Sequence, residues 1–120
     1  MDIVVLAGFM RILSPSFIRA FKFKILNIHP ALLPAFKGVH SIQRAFHAGV
    51  KVTGVTVHFV DEEMDNGPII LQEAVTVGDA ESVGSLEARI HRVEHKLYTR
   101  AIKKMVNGRL RVKGRRVLSS

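Results

Sequence analysis

Cysteine and tryptophan are absent from the 120 residues, and tyrosine occurs once. Without cysteine there is no disulfide framework and no thiolate metal site. No apolar run approaches the roughly 18 residues that a membrane-spanning helix needs. No signal peptide is legible at the start, so a cytoplasmic protein is expected. Acidic residues are also scarce, 10 against 18 Lys and Arg, for a formal charge of +8. The imbalance is uneven. From Arg89 onward there are eleven Lys or Arg and a single acid, Glu94. A basic tail suits an anionic partner: a nucleic acid, a membrane surface or a phosphorylated small molecule. No aromatic residues interleave the basic ones as single-strand binding requires. A solvated helix face with a soluble tail is the simpler reading, and neither nucleic acid nor membrane is expected as a partner.

What the chain does have is a 48% apolar composition, enough to bury a core as one domain over residues 1–120. Residues 1–7 are nearly all apolar and read as a strand covered on both faces. Ser14 followed by Pro15 predicts a helix start, with the helix running to about Ala20. Residues 24–28 form a second apolar strand. A helix is expected from about Ser41 to His47, ending near Gly49. Residues 52–60 alternate, with Val55, Val57 and Phe59 on one face and Thr56, His58 and Val60 on the other. Residues 69–77 read as another strand, antiparallel to the previous one because only a loop joins them. Ser82 or Ser85 can cap a long helix whose stripe is Leu86, Ile90, Val93, Leu97, Ala101 and Met105, stopped by Asn107-Gly108. A terminal hairpin across Lys113-Gly114-Arg115 completes an α/β pattern with a mixed, mainly parallel sheet. The first strand lacks a covering neighbour. An exposed apolar patch there would favour pairing with another copy, as a homodimer or an aggregate.

Within this frame one stretch carries chemistry: Leu26-Asn27-Ile28-His29-Pro30. Pro30 cannot donate to a sheet ladder, so the strand stops at about His29. Residues two apart share a strand face, so Asn27 and His29 point one way and Ile28 points back into the core. That strand end is where open α/β sheets hold ligands. A polar pair that merely closes a strand into a Pro-rich loop would read the same way.

A second constellation is the acidic loop of Asp61, Glu62, Glu63 and Asp65. Its spacing does not fit a calcium loop. An exposed turn is the ordinary fate of such a run. The functional alternative is that Asp65, beside the sharp Asn66-Gly67-Pro68 turn, reaches back to the strand. Asn27 would then donate to an oxygen that turns negative in a tetrahedral intermediate. His29 would move protons, oriented by a carboxylate. No Ser or Cys nucleophile is needed if the substrate brings its own amine. His58 is expected to be a packed residue or one supporting the site from behind. His40, His47, His91 and His95 carry no message alone.

Those residues resemble the folate-dependent phosphoribosylglycinamide formyltransferases. The likeness lies in Leu6-Ala7-Gly8-Phe9-Met10-Arg11-Ile12-Leu13, Asn27-Ile28-His29-Pro30 with Leu32-Leu33-Pro34, His58-Phe59-Val60 and Asp65-Asn66-Gly67-Pro68. It extends to Glu94-His95 and Asn107-Gly108-Arg109-Leu110. The resemblance implies a Rossmann-like formyltransferase fold, of which this chain is the C-terminal part. It implies formyl transfer from 10-formyltetrahydrofolate to the amine of phosphoribosylglycinamide in purine biosynthesis, with no metal. It matches the family's catalytic residues to Asn27, His29 and Asp65. It assigns folate binding to Met10, Arg11, Ile12 and Leu13, to Asn27, and to Asp61, Glu62, Glu63, Met64 and Asp65. The ribonucleotide's sugar falls to His91, Arg92, Val93 and Glu94.

The family also has an N-terminal portion with a phosphate loop, which this sequence is expected to lack. Little or no transferase activity is expected from the chain alone, because remote binding energy then goes unused. Three readings compete. Formyltetrahydrofolate deformylase shares the Ala35-Phe36-Lys37-Gly38 stretch. Methionyl-tRNA formyltransferase suits a basic tail but adds a C-terminal barrel. A non-catalytic basic module would bind nucleic acid through residues 109–116, with steep salt dependence.

Overall fold

The computed structural model describes residues 3–6 and 13–119. Their order is β1 (Val4–Leu6), α1 (Pro15–Ala20), β2 (Ile25–His29), α2 (Ser41–Ala48), β3 (Val52–Phe59), β4 (Ile69–Thr76), α3 (Val83–Val106), β5 (Leu110–Lys113) and β6 (Arg116–Ser119). The six strands form one sheet in the order β1-β2-β3-β4-β6-β5. The expected α/β class and mixed sheet are present, but "mainly parallel" is corrected. Two neighbouring pairs, β1–β2 and β4–β6, are parallel, and the other three are antiparallel. Connections dictate two of the three antiparallel pairs; in the third, β3 runs back along β2 after passing through α2. A loop returns β4 along β3, and a turn at Gly114, with φ +63°, returns β6 along β5. Both are hairpin joins that parallel strands cannot use.

The sheet is covered on both faces in its central part. On one face α3 buries Leu86, Ile90, Leu97, Ala101 and Met105 against Leu26, Ile28, Val55, Val57 and Phe59. Each such Leu or Ile contributes about 1.5–3 kcal/mol on leaving water. Val93, the remaining member of the expected stripe, is only half-buried. On the other face Ile18 of α1 packs with Ile25 and Val60. β2 is therefore buried along its whole length, as its unbroken apolar run requires.

Helix starts follow local chemistry. Ser14 Oγ accepts the Phe17 N–H, with Pro15 at the first helical position. At α3 both expected serines act. Ser82 is the N-cap, and Ser85 returns a bond to the Ser82 N–H, closing a reciprocal box. β1 is one of the sheet's two edge strands, and its Val5 is 45% exposed. Its far end is tied down by the chain's one tyrosine. Tyr98 accepts the Leu6 N–H (2.9 Å) and directs its hydroxyl at the Leu6 and Leu26 carbonyls. Burial pushes that hydroxyl above its ordinary titration range, so it stays a donor at any physiological pH. No helix among the described residues is long and apolar enough to cross a membrane.

Candidate active site

β2 delivers Asn27 and His29 to the same face at its carboxyl end, and both are buried. Across the antiparallel pairing with β3, Asn27 lies opposite His58 and His29 opposite Thr56. Four polar side chains thus share one patch of sheet. Nothing in the β2 segment alone announces the last two. They appear only once the register is known.

Asp65 arrives from the loop after β3. Its backbone is left-handed (φ +51°), a conformation Asp tolerates better than most residues. It is 5% exposed. Oδ2 accepts the Gly38 N–H at 2.7 Å and faces His29 Nδ1 at 3.5 Å. Oδ1 faces His58 Nε2 at 3.9 Å. The three residues expected to work together therefore converge. Asn27, His29 and Asp65 line a cavity of about 470 Å³ together with residues 38–43 and Met64.

The ring nitrogens can be assigned by what they meet. His29 Nε2 lies 2.8 Å from the Phe36 carbonyl, which can only accept, so Nε2 carries the hydrogen. A second proton taken up by this ring goes to Nδ1, directly against the Asp65 carboxylate. His58 Nδ1 likewise donates to the Phe59 carbonyl at 2.9 Å. That leaves His58 Nε2 buried without a hydrogen-bond partner.

Burial is the main reason the His58 imidazole titrates below its ordinary 6.5, against smaller upward pulls from the Phe59 carbonyl and from Asp65 and Asp61, with His29 adding to the fall. The native state then binds fewer protons than the unfolded chain below about pH 6.5. His58 thus adds stability that is present above that pH and lost on acidification. The expected result is a urea midpoint that falls between pH 7 and pH 5 more steeply in the parent than in His58→Asn. Equal slopes would remove His58 from the account.

A polar brace under the Pro-rich loop went unread in the sequence. Thr56 Oγ1 donates to the Ala31 carbonyl (2.7 Å) and accepts from Leu33 N–H and Gln72 Nε2. Gln72 Nε2 also reaches the Leu33 carbonyl. Only the β3–β4 pairing of Thr56 with Gln72 brings these together.

The other expected site residues are distributed as follows. Met10, Arg11 and Ile12 lie outside the described residues. Leu13 packs on the Ile18, Ile25 and Val60 cluster. Asp61 folds its own loop, accepting from the Glu63 N–H and from Asn66 Nδ2. Glu62 pairs with Arg19 at 3.2 Å. Asp61 and Glu62 line a separate cleft of about 430 Å³ beside α1. Glu63 is exposed, and Met64 is exposed at the cavity rim. On α3, His91 and Glu94 share a face and bond at 2.7 Å. With Ile28, His95 and Tyr98 they line a cleft of about 380 Å³. Arg92 and Val93 turn away from it and line a different cleft against β4. A four-residue helical segment cannot present every side chain to one ligand. Among the described residues no three His, Cys, Asp or Glu side chains are grouped as a metal site requires.

Residues 1–102 match the family model described as formyl transferase. The phosphoribosylglycinamide formyltransferase of Bacillus subtilis is 48% identical over 105 residues, covering 88% of this chain and 54% of the relative. That of Escherichia coli is 45% identical over 92% of this chain and 52% of its own length. The chain thus spans about half the length of these curated relatives. Among solved structures, glycinamide ribonucleotide transformylase 1 of Symbiobacterium toebii superposes with a TM-score of 0.93 at 49% identity, covering 99% of this chain and 56% of the other. A formyltetrahydrofolate deformylase of Pseudomonas syringae reaches 0.93 at 35% identity, covering 98% and 40%. The mixed sheet is that of the Rossmann-like formyltransferase fold. With the family model covering 102 residues and the sheet superposing on solved members, the chain belongs to the formyl transferase family.

Proposed function

We propose that the site transfers a formyl group from 10-formyltetrahydrofolate to the amine of 5'-phosphoribosylglycinamide, in purine biosynthesis. The observation that carries this reading is the convergence of Asn27, His29 and Asp65 on one cavity. A carboxamide donor, a proton carrier and a carboxylate are the groups acyl transfer to an amine needs, and the named relatives favour this acceptor. In the reaction the amine nitrogen bonds to the formyl carbon and the donor's carbon–nitrogen bond breaks. The proton shed by the amine passes to the departing nitrogen. Asn27 donates to the oxygen on which negative charge develops. His29 carries the proton, and Asp65 holds the ring and balances its positive charge. For His29 Nε2 to meet a substrate nitrogen the Phe36 carbonyl must give way. Folate is assigned to Met10, Arg11, Ile12 and Leu13, to Asn27 and to residues 61–65, of which Asn27, Met64 and Asp65 line the cavity. The ribonucleotide is assigned to His91 and Glu94.

A second reading, hydrolysis of the formyl donor, is favoured by the deformylase superposition. Product identity separates the two. The chain is incubated with a 13C-formyl donor, with and without phosphoribosylglycinamide, and followed by NMR. Transfer predicts a 13C-formylated amine only when the acceptor is present. Formate released without acceptor favours the hydrolase. Turnover is expected to be slow, because the chain spans about half the length of its relatives and remote binding energy goes unused. Neither product forming, together with His29 resonances that do not respond to the donor, contradicts both.

A further inference from the structure

The C-terminal hairpin has no part in the site as described, yet its turn touches the loop that carries Asp65. Pairing of Ile69 with Arg116 lays β6 beside the start of β4. This brings the neighbouring Arg115 to the Asp65–Gly67 turn, where its guanidinium donates to the backbone carbonyl of Asn66. From the opposite side Lys37 Nζ donates to the Asn66 carboxamide oxygen at 3.1 Å. The two cations stand either side of a cleft of about 290 Å³ that backs onto Asp65.

We propose that Arg115 is a positioning residue for Asp65, and that the β5–β6 hairpin serves as a clasp on the catalytic loop. The residue before Asn66 holds a left-handed backbone, which L side chains adopt only where their surroundings fix it. The bonds that fix it are few. Gly38 N–H holds the Asp65 carboxylate, Asp61 accepts from Asn66 Nδ2 at a long 3.4 Å, and the remaining polar anchors on Asn66 are Lys37 and Arg115. The Arg115 bond restrains the peptide group that follows Asn66. Losing it lets the turn relax and moves Oδ2 away from His29 Nδ1, now 3.5 Å away. One arginine of the basic tail thus gains a task that does not need an anionic partner.

The effect on turnover rests on the formyl-transfer reading, whereas the placement of Asp65 does not, so the test has two arms. In the first, the Gly38 amide and the His29 ring nitrogens are compared by 15N NMR at one pH in the parent, Arg115→Ala, Arg115→Lys and the Arg115→Ala/Lys37→Ala pair, with Lys113→Ala as a hairpin control. Withdrawal of the carboxylate breaks the bond that Asp65 Oδ2 accepts from the Gly38 N–H and removes the oxygen that faces His29 Nδ1. The Gly38 and His29 resonances are expected to shift in Arg115→Ala, to shift further in the pair, and to return toward the parent in Arg115→Lys. Thermal midpoints should stay close to the parent's, because Arg115 is exposed. In the second arm, kcat for formyl transfer falls about tenfold with KM nearly unchanged, since the reacting groups are misplaced but the ligand surface remains. Unmoved resonances in both Arg115→Ala and the pair overturn the proposal. If the resonances move while His29→Ala leaves the rate of formyl transfer unchanged, the clasp stands and the functional reading fails.

Discussion

Gly67→Ala is expected to cost more than about 3 kcal/mol of folding stability, read as a drop in urea midpoint, because it inserts an atom where none fits. A Cβ at this position would lie 1.6 Å from the Phe59 carbonyl oxygen and 2.7 Å from its carbon. Both are backbone atoms of β3, and no rotamer change removes them. Phe59 cannot move freely either, since its N–H bonds the Pro68 carbonyl at 2.9 Å and its ring is buried in the core. The same displacement would carry Asp65, two residues earlier, out of reach of His29. Gly84→Ala supplies the contrast. Its nearest neighbour would be Ser82 Oγ at 4.0 Å, at the start of α3. There alanine is expected to be neutral or to stabilise by up to about 1 kcal/mol through helix propensity. Equal effects at the two glycines would show that the close approach of β3 to the Asp65 turn is not real.

The second large effect concerns chemistry. His29→Ala is expected to lower the rate of formyl transfer by about 10²–10⁴-fold relative to the parent chain, the span associated with a positioned proton carrier. Asn27→Ala is expected to lower it by about 10²–10³-fold, the loss typical of one donor to a developing oxyanion. The double variant should fall little further than His29→Ala, because groups that act in one step are not additive. Additive losses would place the two side chains in separate steps. Loss confined to KM would make them binding residues only.

The parts of this account that were legible in the sequence are those set by short-range chemistry. Ser14-Pro15 marks one helix start, Ser82 and Ser85 stand as alternative caps for another, and period-two spacing puts Asn27 and His29 on one face. The Asn27, His29 and Asp65 trio was readable because two members sit on one strand and the third beside a Gly-Pro turn. What stayed hidden depends on register. His58 reads as a packed histidine or one behind the site, and its pairing with Asn27 decides for the second by turning it toward Asp65. Thr56 and Gln72 look like ordinary strand polar residues until pairing joins them under the Pro-rich loop. Strand direction was legible at the two hairpin joins, β3–β4 and β5–β6. What escaped is that β3 returns antiparallel to β2 through α2, which tips the sheet away from mainly parallel. The basic tail's charge does not announce that Arg115 reaches a carbonyl of the site loop, a contact that only the fold supplies.

The most direct test is a crystal structure of the chain with a non-transferable analogue of the formyl donor. The account predicts the formyl oxygen, or its mimic, about 3 Å from the Asn27 carboxamide nitrogen, with His29 and Asp65 still in contact beside it. An analogue seated in another cleft, with the Asn27, His29 and Asp65 cavity holding only solvent, would contradict it.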